Sequence, residues 1–228
     1  MADVADVVVL FDIDDTLFDH RAAERAGAVA LHRSVDARAP VEQFVSAWSA
    51  ALDRQFARYL AGEVSFEGQR RERIREVVDA SLTDVAADKM FAGYLAAYEA
   101  AWSLFPDVLA CLDRLAHCRL GIISNGQTLQ QRQKLTHTGI EDRFECIVIS
   151  EECGWSKPSR EIFIEACRRI GALPADAVYV GDRYDIDAEA ARQAGLTGVW
   201  LDRRQRRTTV HESPVIGNLD ELVGLLRD

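Results

Sequence analysis

The sequence lacks the cysteine and histidine patterns that mark disulfide frameworks or structural metal sites. Its five cysteines are odd in number and contain no Cys-x-x-Cys pair, and its five histidines are scattered singly. Cysteines of this kind are most often small buried residues that stay reduced in the cytosol. We therefore expect neither a disulfide framework nor a zinc site built from cysteine and histidine.

Positive charge is also scarce. The chain has 27 Lys and Arg residues against 37 Asp and Glu residues, a formal net charge of −10. Nucleic-acid binding draws much of its affinity from an excess of basic side chains, so we expect no nucleic-acid partner. A small anionic substrate stays compatible with this balance, because a few cations placed locally outweigh a distant, screened negative field.

Long apolar segments are absent as well. No stretch reaches the roughly 20 apolar residues that span a bilayer. The first residues, Met1 to Val4, carry no basic region of the secretory type. We expect a cytoplasmic protein without membrane contact.

Five short apolar runs, separated by helical patterns, are the main structural signal that is present. The run at 7–11 is continuous and rich in β-branched residues, which is typical of a strand buried on both faces. The others lie at 120–123, 146–149, 177–180 and 198–201. The alternation predicts an α/β fold with a Rossmann-like, doubly wound parallel sheet. One connecting helix is predicted to follow an N-cap at Ser159 and to end at Gly171.

Residues 18–104 contain no convincing strand. Apolar side chains recur there in two helical stripes: Phe44, Trp48, Leu52, Phe56 and Leu60, and then Phe91, Leu95, Tyr98 and Trp102. Such stripes are typical of the core-facing sides of helices. We predict one α/β domain, residues 1–17 and 105–228, that is interrupted by an all-helical domain, residues 18–104.

Three carboxylates, those of Asp12, Asp14 and Asp15, follow the first predicted strand directly. Ligands of open α/β sheets bind at the carboxyl ends of the strands. Mg²⁺ prefers carboxylates, water and phosphate oxygens, and it would offset the mutual repulsion of these groups. A turn with one capping Asp is the simpler interpretation, but it explains one carboxylate and not the cluster. The pattern favours a magnesium site.

Two further strand ends carry residues suited to a phosphate. Ser124, Asn125 and Gly126 follow the second strand, where a hydroxyl and backbone N–H groups can cradle an anion at a helix start. Lys157 precedes Pro158, which disfavours helical backbone at the lysine. Both motifs also have simpler interpretations: Asn125 and Gly126 could form an ordinary Asn-Gly turn, and Lys157 could be a solvated lysine.

The fourth strand is again followed by carboxylates. Asp182 comes directly after it, and Asp185 and Asp187 lie a few residues further on. Asp185 or Asp187 can equally serve as the N-cap of the next helix.

Taken together, these motifs resemble those of the haloacid dehalogenase superfamily in order and spacing. The motifs are Asp12-x-Asp14-x-Thr16, Ser124-Asn125-Gly126, Lys157-Pro158 and Gly181-Asp182-x-x-x-x-Asp187. The resemblance covers 7–201, and the insertion at 18–104 sits where that superfamily has its helical C1 cap. The nearest likeness is to the branch of 5′-nucleotidases and N-acylneuraminate-9-phosphatase. It is carried by the stretch from Ser124 to Gln131 and by residues 148–158.

The resemblance implies a mechanism. Asp12 would be the nucleophile that forms an aspartyl phosphate, and Asp14 would be the general acid and base. Mg²⁺ would be held by the Asp12 carboxylate, the backbone carbonyl of Asp14 and the Asp182 carboxylate, with Asp187 in support. The residues implied in phosphate binding are Thr16, Ser124, Asn125, Gly126 and Lys157. Lys157 would also keep Asp12 ionised and aimed.

Asp14 separates two chemistries of this superfamily. True 2-haloacid dehalogenases resemble the chain but carry a non-acidic residue there and use no magnesium, because a halide leaves unprotonated. The acid at position 14 favours a Mg²⁺-dependent phosphatase acting on a small phosphorylated metabolite, of the nucleoside monophosphate or sugar phosphate class. Dehalogenation and a non-catalytic binding role remain the alternatives.

Several residues stay open at this point. Arg183 either contacts substrate or pairs with a nearby Asp, and Trp155 either lines an entrance or packs. The run Arg70, Arg71, Arg73 and Arg75 either meets an acidic substrate group or forms a solvated helix face, and Arg203, Arg204, Arg206 and Arg207 read as a surface loop. The sequence does not distinguish a monomer from a homodimer.

Overall fold

The computed structural model describes residues 7–205 and 212–226. The chain divides into two compact units. One, which we call the α/β unit, consists of Met1–Asp19 and Leu104–Asp228, and the other, the helical unit, is His20–Ser103.

The helical unit is formed by four helices. They are α1 (His20–Ser34), α2 (Val41–Leu60), α3 (Phe66–Val77) and α4 (Asp84–Ala100). The side chains of Ser65 and Thr83 cap α3 and α4 by accepting hydrogen bonds from the backbone N–H groups of Gly68 and Ala86.

The predicted stripe on α2 is buried only in its first half. Phe44 and Trp48 are buried, whereas Leu52, Phe56 and Leu60 are partly exposed. A strict four-residue repeat advances about 40° beyond a full turn at each step, so its later members rotate off the buried face. Ala51 and Gln55 occupy that face instead.

Within its described residues, the α/β unit contains six strands and six α-helices. The strands are β1 (Val8–Phe11), β2 (Arg119–Ser124), β3 (Cys146–Ile149), β4 (Ala177–Gly181), β5 (Thr197–Leu201) and β6 (Val215–Ile216). The helices are α5 (Val108–Arg114), α6 (Thr128–His137), α7 (Ser150–Cys153), α8 (Arg160–Ile170), α9 (Glu189–Ala194) and α10 (Leu219–Leu225).

The six strands form one parallel sheet in the order β3-β2-β1-β4-β5-β6. This confirms the predicted Rossmann-like α/β fold and its five strands. The sixth strand, β6, was not predicted, because two residues carry too little pattern to be distinguished from a loop.

Helix α8 has the predicted bounds and buries its apolar side. Ile162, Phe163 and Ala166 pack in the main core of the α/β unit, and the helix ends at Gly171 in a left-handed conformation with φ +71°. Ser159 does precede the helix, but its side chain makes no cap bond to the backbone and contacts Glu161 instead.

Candidate active site

The sheet places the predicted motifs side by side. Phe11, the last residue of β1, pairs with Ile122 of β2 and Val180 of β4. Parallel strands end at the same edge of a sheet, so Asp12, Ser124 and Asp182 emerge together. This is the edge at which ligands bind in open α/β sheets.

Three buried carboxylates meet at this edge. One side-chain oxygen from each of Asp12, Asp182 and Asp187 lies within 4.8 Å of the others. Hard oxygen ligands at this spacing suit a divalent cation such as Mg²⁺. The Asp187 carboxylate therefore joins the cluster directly, and the N-cap interpretation of Asp187 is wrong: it lies inside a π-helical turn, Tyr184–Ala188, that precedes α9.

Lys157 is the buried cation of the cluster. Its Nζ donates to Asp12 Oδ1 at 2.7 Å, to Asp187 Oδ1 at 2.8 Å and to the Tyr179 hydroxyl at 2.8 Å. Burial disfavours the charged ammonium, but Asp12 and Asp187 outweigh it and hold the pKa of Lys157 above its usual range. Its interpretation as a solvated lysine is wrong.

The carboxylates outnumber this one lysine. Burial, together with the charges of Asp187, Asp14 and Asp182, raises the pKa of Asp12 to about 8 against the opposing effect of Lys157. Burial, with the charges of Asp187 and Asp12, also holds the pKa of Tyr179 well above its usual range, so the phenol stays protonated. The residues present thus fit a bound Mg²⁺, because a divalent cation would balance the excess negative charge.

The Asp14 side chain lies outside this cluster. Its Oδ1 accepts a hydrogen bond from Lys134 Nζ at 2.6 Å, and its Oδ2 accepts one from Gln131 Nε2 at 2.9 Å. Gln131 Nε2 also lies 2.7 Å from Ser124 Oγ. Helix α6 therefore connects the second acid to the hydroxyl predicted to bind phosphate.

Sequence reasoning missed these partners. Lys134 reads as an ordinary charged helix residue, although it is only 3% exposed. Gln131 entered only as part of a family likeness, and Tyr179 only as one residue of an apolar strand. The spacing i, i+3 between Gln131 and Lys134 was the one available signal that both side chains share a helix face.

Asn125 binds the loop that carries Lys157. Its Nδ2 donates to the carbonyl of Lys157 at 2.9 Å, and its Oδ1 accepts from the N–H of Lys157 at 2.8 Å. The neighbouring Gly126 donates its N–H to Ser150 Oγ at 2.9 Å. Both residues thus join the ends of β2 and β3 to the lysine loop.

A tight turn after β1 orients the acidic residues. The N–H groups of Leu17 and Phe18 both donate to the carbonyl of Ile13, at 3.0 and 2.9 Å. Asp15 has φ +60° within this turn, and Thr16 Oγ1 donates to Asp12 Oδ2 at 3.2 Å. The turn therefore directs Asp14 away from Asp12 and toward α6.

The residues that the sequence left open now have positions. Arg183 Nε lies 3.6 Å from Asp185 Oδ1, so it pairs with a nearby Asp, and Trp155 is 44% exposed. Arg203 is not a surface-loop residue as predicted: it donates to Asp107 Oδ2 at 2.8 Å and to the carbonyl of Thr16 at 2.9 Å. Arg206 and Arg207, of the same run, lie outside the described residues.

Known proteins with similar sequences point to one family. The family model for haloacid dehalogenase-like hydrolases matches residues 7–195. A glyceraldehyde 3-phosphate phosphatase from Methanopyrus kandleri is 35% identical over 86% of this chain and 83% of its own. A phosphoserine phosphatase from Thermus thermophilus is 30% identical over 97% of this chain and 96% of its own.

Solved structures agree on the fold. A HAD-hydrolase from Bacillus subtilis bound to magnesium superposes with a TM-score of 0.83 at 21% identity, over 97% of this chain and 99% of its own. A 2-haloacid dehalogenase from Pseudomonas syringae superposes with a TM-score of 0.70 at 28% identity, over 97% of this chain and 98% of its own.

These findings confirm the predicted superfamily and the predicted enzyme class. No helix in the described part of the chain has the length and apolarity to cross a membrane. The chain belongs to the haloacid dehalogenase-like hydrolase family, as a hydrolase of the phosphatase type.

Proposed function

We propose that the protein is a Mg²⁺-dependent phosphatase that hydrolyses a small sugar-phosphate-like metabolite through an aspartyl phosphate on Asp12. The observation that carries this proposal is the buried cluster of Asp12, Asp182 and Asp187 around Lys157 at the carboxyl edge of the sheet. Magnesium, when bound there, would offset the charge of the phosphoryl group and of its nucleophile.

Asp12 is the nucleophile in this proposal. A carboxylate oxygen of Asp12 attacks phosphorus, the bond from phosphorus to the leaving oxygen breaks, and that oxygen takes a proton from Asp14. A water then attacks phosphorus while Asp14 takes its proton. The bond between phosphorus and Asp12 breaks, and inorganic phosphate leaves.

The other residues bind and orient the phosphoryl group. Lys157, already bonded to Asp12, and the hydroxyls of Ser124 and Thr16 are the side chains that we expect to contact phosphoryl oxygens. The side chain of Asn125 and the N–H of Gly126 are engaged within the protein. We therefore expect these two to act mainly by holding the loops that present Ser124 and Lys157.

The substrate class is the finer part of the proposal. The Methanopyrus and Thermus relatives are phosphatases for glyceraldehyde 3-phosphate and for phosphoserine, both small phosphomonoesters. Glyceraldehyde 3-phosphate is a triose phosphate, so the Methanopyrus relative supports the sugar phosphate class over nucleoside monophosphates. A cytoplasmic location and the absence of nucleic-acid and membrane partners remain predictions.

Dehalogenation is the second candidate, because a 2-haloacid dehalogenase is among the similar solved structures. It needs neither an acid at position 14 nor a metal. Here Asp14 is present with two hydrogen-bond donors on its carboxylate, and the carboxylate cluster has the composition of a cation site. Both features favour phosphoryl transfer.

The test is a panel of phosphorylated metabolites assayed for free phosphate with Mg²⁺ and with EDTA. We expect release in Mg²⁺, loss in EDTA, and loss in Asp12→Asn. Asp15→Asn is the matched control: it removes a carboxylate of the same turn, and Asn tolerates its positive φ. Activity that persists in EDTA, or halide release from 2-chloropropionate without metal, would overturn the proposal. Inactivity of wild type on every ester would favour a binding role.

A further inference from the structure

Each oxygen of the Asp12 carboxylate accepts a hydrogen bond from a different side chain. Lys157 Nζ donates to Oδ1 at 2.7 Å, and Thr16 Oγ1 donates to Oδ2 at 3.2 Å. A carboxylate that is bonded at both oxygens is held in one orientation, which an in-line attack on phosphorus requires. The position of Thr16 therefore affects the proposed nucleophile as directly as that of Lys157.

The turn that carries Thr16 is held from outside as well as from within. Its internal hydrogen bonds converge on the carbonyl of Ile13. From outside, Arg203 Nη2 donates to the carbonyl of Thr16 at 2.9 Å, and the N–H of Phe105 donates to the carbonyl of Leu17 at 3.0 Å. Arg203 thus bonds the same residue whose hydroxyl contacts the Asp12 carboxylate.

Other contacts hold the guanidinium of Arg203 in place. Its Nη1 donates to Asp107 Oδ2 at 2.8 Å and its Nη2 to Asp107 Oδ1 at 3.0 Å, which makes a bidentate ion pair. The guanidinium also lies over the Phe105 ring, 4.0 Å from its centroid. Burial would raise the pKa of Asp107, but hydrogen bonds from Arg203 and from the N–H of Leu219 hold it below its usual range. Asp107 stays ionised, so the pair persists.

The ion pair and the bond to Thr16 have different consequences. Asp107 precedes α5 and its carboxylate accepts the N–H of Leu219 at the start of α10, so its pair with Arg203 joins both helices to the end of β5. Stability alone explains that pair. The further bond extends the network to the nucleophile in two steps, from the guanidinium to the carbonyl of Thr16 and from the hydroxyl of Thr16 to Asp12.

We propose that Arg203 is a positioning residue for the reaction, which holds Thr16 so that its hydroxyl stays at the Asp12 carboxylate. Arg203 acts through Thr16 and is not itself a catalytic residue. The proposal rests on the proposed function, because it takes Asp12 as the nucleophile.

Steady-state kinetics of a double-mutant cycle test this role. Arg203→Met should lower kcat by roughly 10- to 100-fold with little change in KM, because a misoriented carboxylate attacks poorly while the substrate still binds. In a Thr16→Val background no hydroxyl remains to be positioned, so the same substitution should lower kcat by less than about threefold. Thr16→Ser keeps the hydroxyl and should keep the full sensitivity to Arg203→Met.

Two outcomes of the cycle would overturn the proposal: an unchanged kcat in Arg203→Met, or an equal fold loss with and without the Thr16 hydroxyl. The second would mean that Arg203 only stabilises the fold. If Arg203→Met does not fold, Arg203→Lys replaces it in the cycle. Lysine keeps a positive charge for Asp107 but has one ammonium in place of two Nη groups, so the same pattern is expected.

Arg119 provides a matched control, because it also bonds one carboxylate and one backbone carbonyl. Its Nε donates to Glu145 Oε2 at 3.0 Å, and its Nη2 donates to the carbonyl of Ile170. Arg119 is the first residue of β2 and therefore lies at the end of that strand opposite to Ser124. Arg119→Met should keep kcat near that of wild type. A loss comparable to that of Arg203→Met would contradict the proposal.

Hydrogen exchange separates a failure of this role from a failure of the proposed function, because it needs no substrate. Amide exchange of residues 13–18, followed by peptide mass spectrometry, should be faster by roughly tenfold in Arg203→Met and unchanged in Arg119→Met. Wild type without phosphatase activity would refute the proposed function. Unchanged exchange of the turn in Arg203→Met would overturn the role of Arg203, whatever the activity of wild type.

Discussion

At the scale of single residues, the chemistry proposed for Asp12 depends on the side chains around it. The Asp12 carboxylate accepts hydrogen bonds from Lys157 at 2.7 Å and from Thr16 at 3.2 Å. The Asp14 carboxylate accepts its hydrogen bonds from Lys134 and Gln131. The two acids, only two positions apart, therefore have separate partners. Such a separation is what a nucleophile and a proton donor require of one short motif.

The first prediction concerns Lys134, which we expect to position Asp14. Lys134→Met should lower kcat for an alkyl phosphate by roughly 10- to 100-fold, because a misplaced acid protonates the leaving alkoxide poorly. The loss should be much smaller for p-nitrophenyl phosphate, whose leaving group needs little protonation. Steady-state kinetics on both esters measure the difference.

Asp14→Asn is the reference for this prediction and should show the same dependence on leaving group. If Lys134→Met slows both esters equally, Lys134 has a general structural role and does not position the acid.

At the scale of structural elements, the site depends on contacts that hold loops to strand ends. Asn125→Ala removes both hydrogen bonds to the backbone of Lys157. We expect kcat to fall by roughly 10- to 100-fold as the lysine loses its fixed position. Asn125→Asp keeps the acceptor for the Lys157 N–H and should retain part of the activity. Equal activity of Asn125→Ala and wild type would contradict this role.

Gly198 lets β5 approach the turn that carries Asp187. A Cβ added at Gly198 would lie 1.9 Å from the carbonyl oxygen of Ala188, so the backbone of one segment must shift. Gly198→Ala should lower the free energy of unfolding by about 1–3 kcal/mol, measured by urea denaturation. Gly224, in α10, has nothing within 4 Å of an added Cβ. Gly224→Ala is therefore the control and should be neutral or slightly stabilising.

Elements with a strong local pattern could be predicted from sequence. The apolar runs gave all the central strands, and the Ser159 and Gly171 signals gave the bounds of α8. The two-residue strand β6 has no such pattern. On α2, the four-residue repeat predicted core positions for Leu52, Phe56 and Leu60, which are only partly buried because burial follows the 3.6-residue period.

The residues of the site also divide into those that a local sequence pattern places and those that it does not. Residues directly after a strand, such as Asp12, Ser124 and Asp182, are placed by chain connectivity. Lys134 and Tyr179 reach the site from the middle of a helix and of a strand, and only packing in three dimensions brings them there. A run of arginines also does not reveal that Arg70 lies over the Phe66 ring whereas Arg71 forms an ion pair with Asp88.

At the scale of the whole molecule, the excess of carboxylates couples metal binding to stability and pH. The pKa of Asp12 is raised from 3.8 to about 8 in the folded chain. The contribution of Asp12 to the free energy of unfolding is therefore fully present below pH 3.8, and it is lost as the pH rises through about 8. Bound Mg²⁺ requires the ionised form and should remove this loss.

We predict that the apparent affinity for Mg²⁺ rises with pH, by up to about tenfold per unit, and levels off above pH 8. Calorimetric titration measures it, and the rise in the unfolding midpoint caused by Mg²⁺ should be larger at pH 8 than at pH 6. Asp12→Asn should flatten the pH dependence. An affinity that does not change over this range would contradict the account.

The central claim is that Asp12 carries the phosphoryl group during turnover. Asp14→Asn lacks the proposed base for the second step, and p-nitrophenyl phosphate needs little help in the first, so the covalent intermediate should accumulate. Acid quenching of this variant, borohydride reduction and peptide mass spectrometry identify the phosphorylated residue. The account predicts conversion of Asp12 to homoserine. Phosphate release with Asp12 unmodified, or modification of another residue, would contradict it.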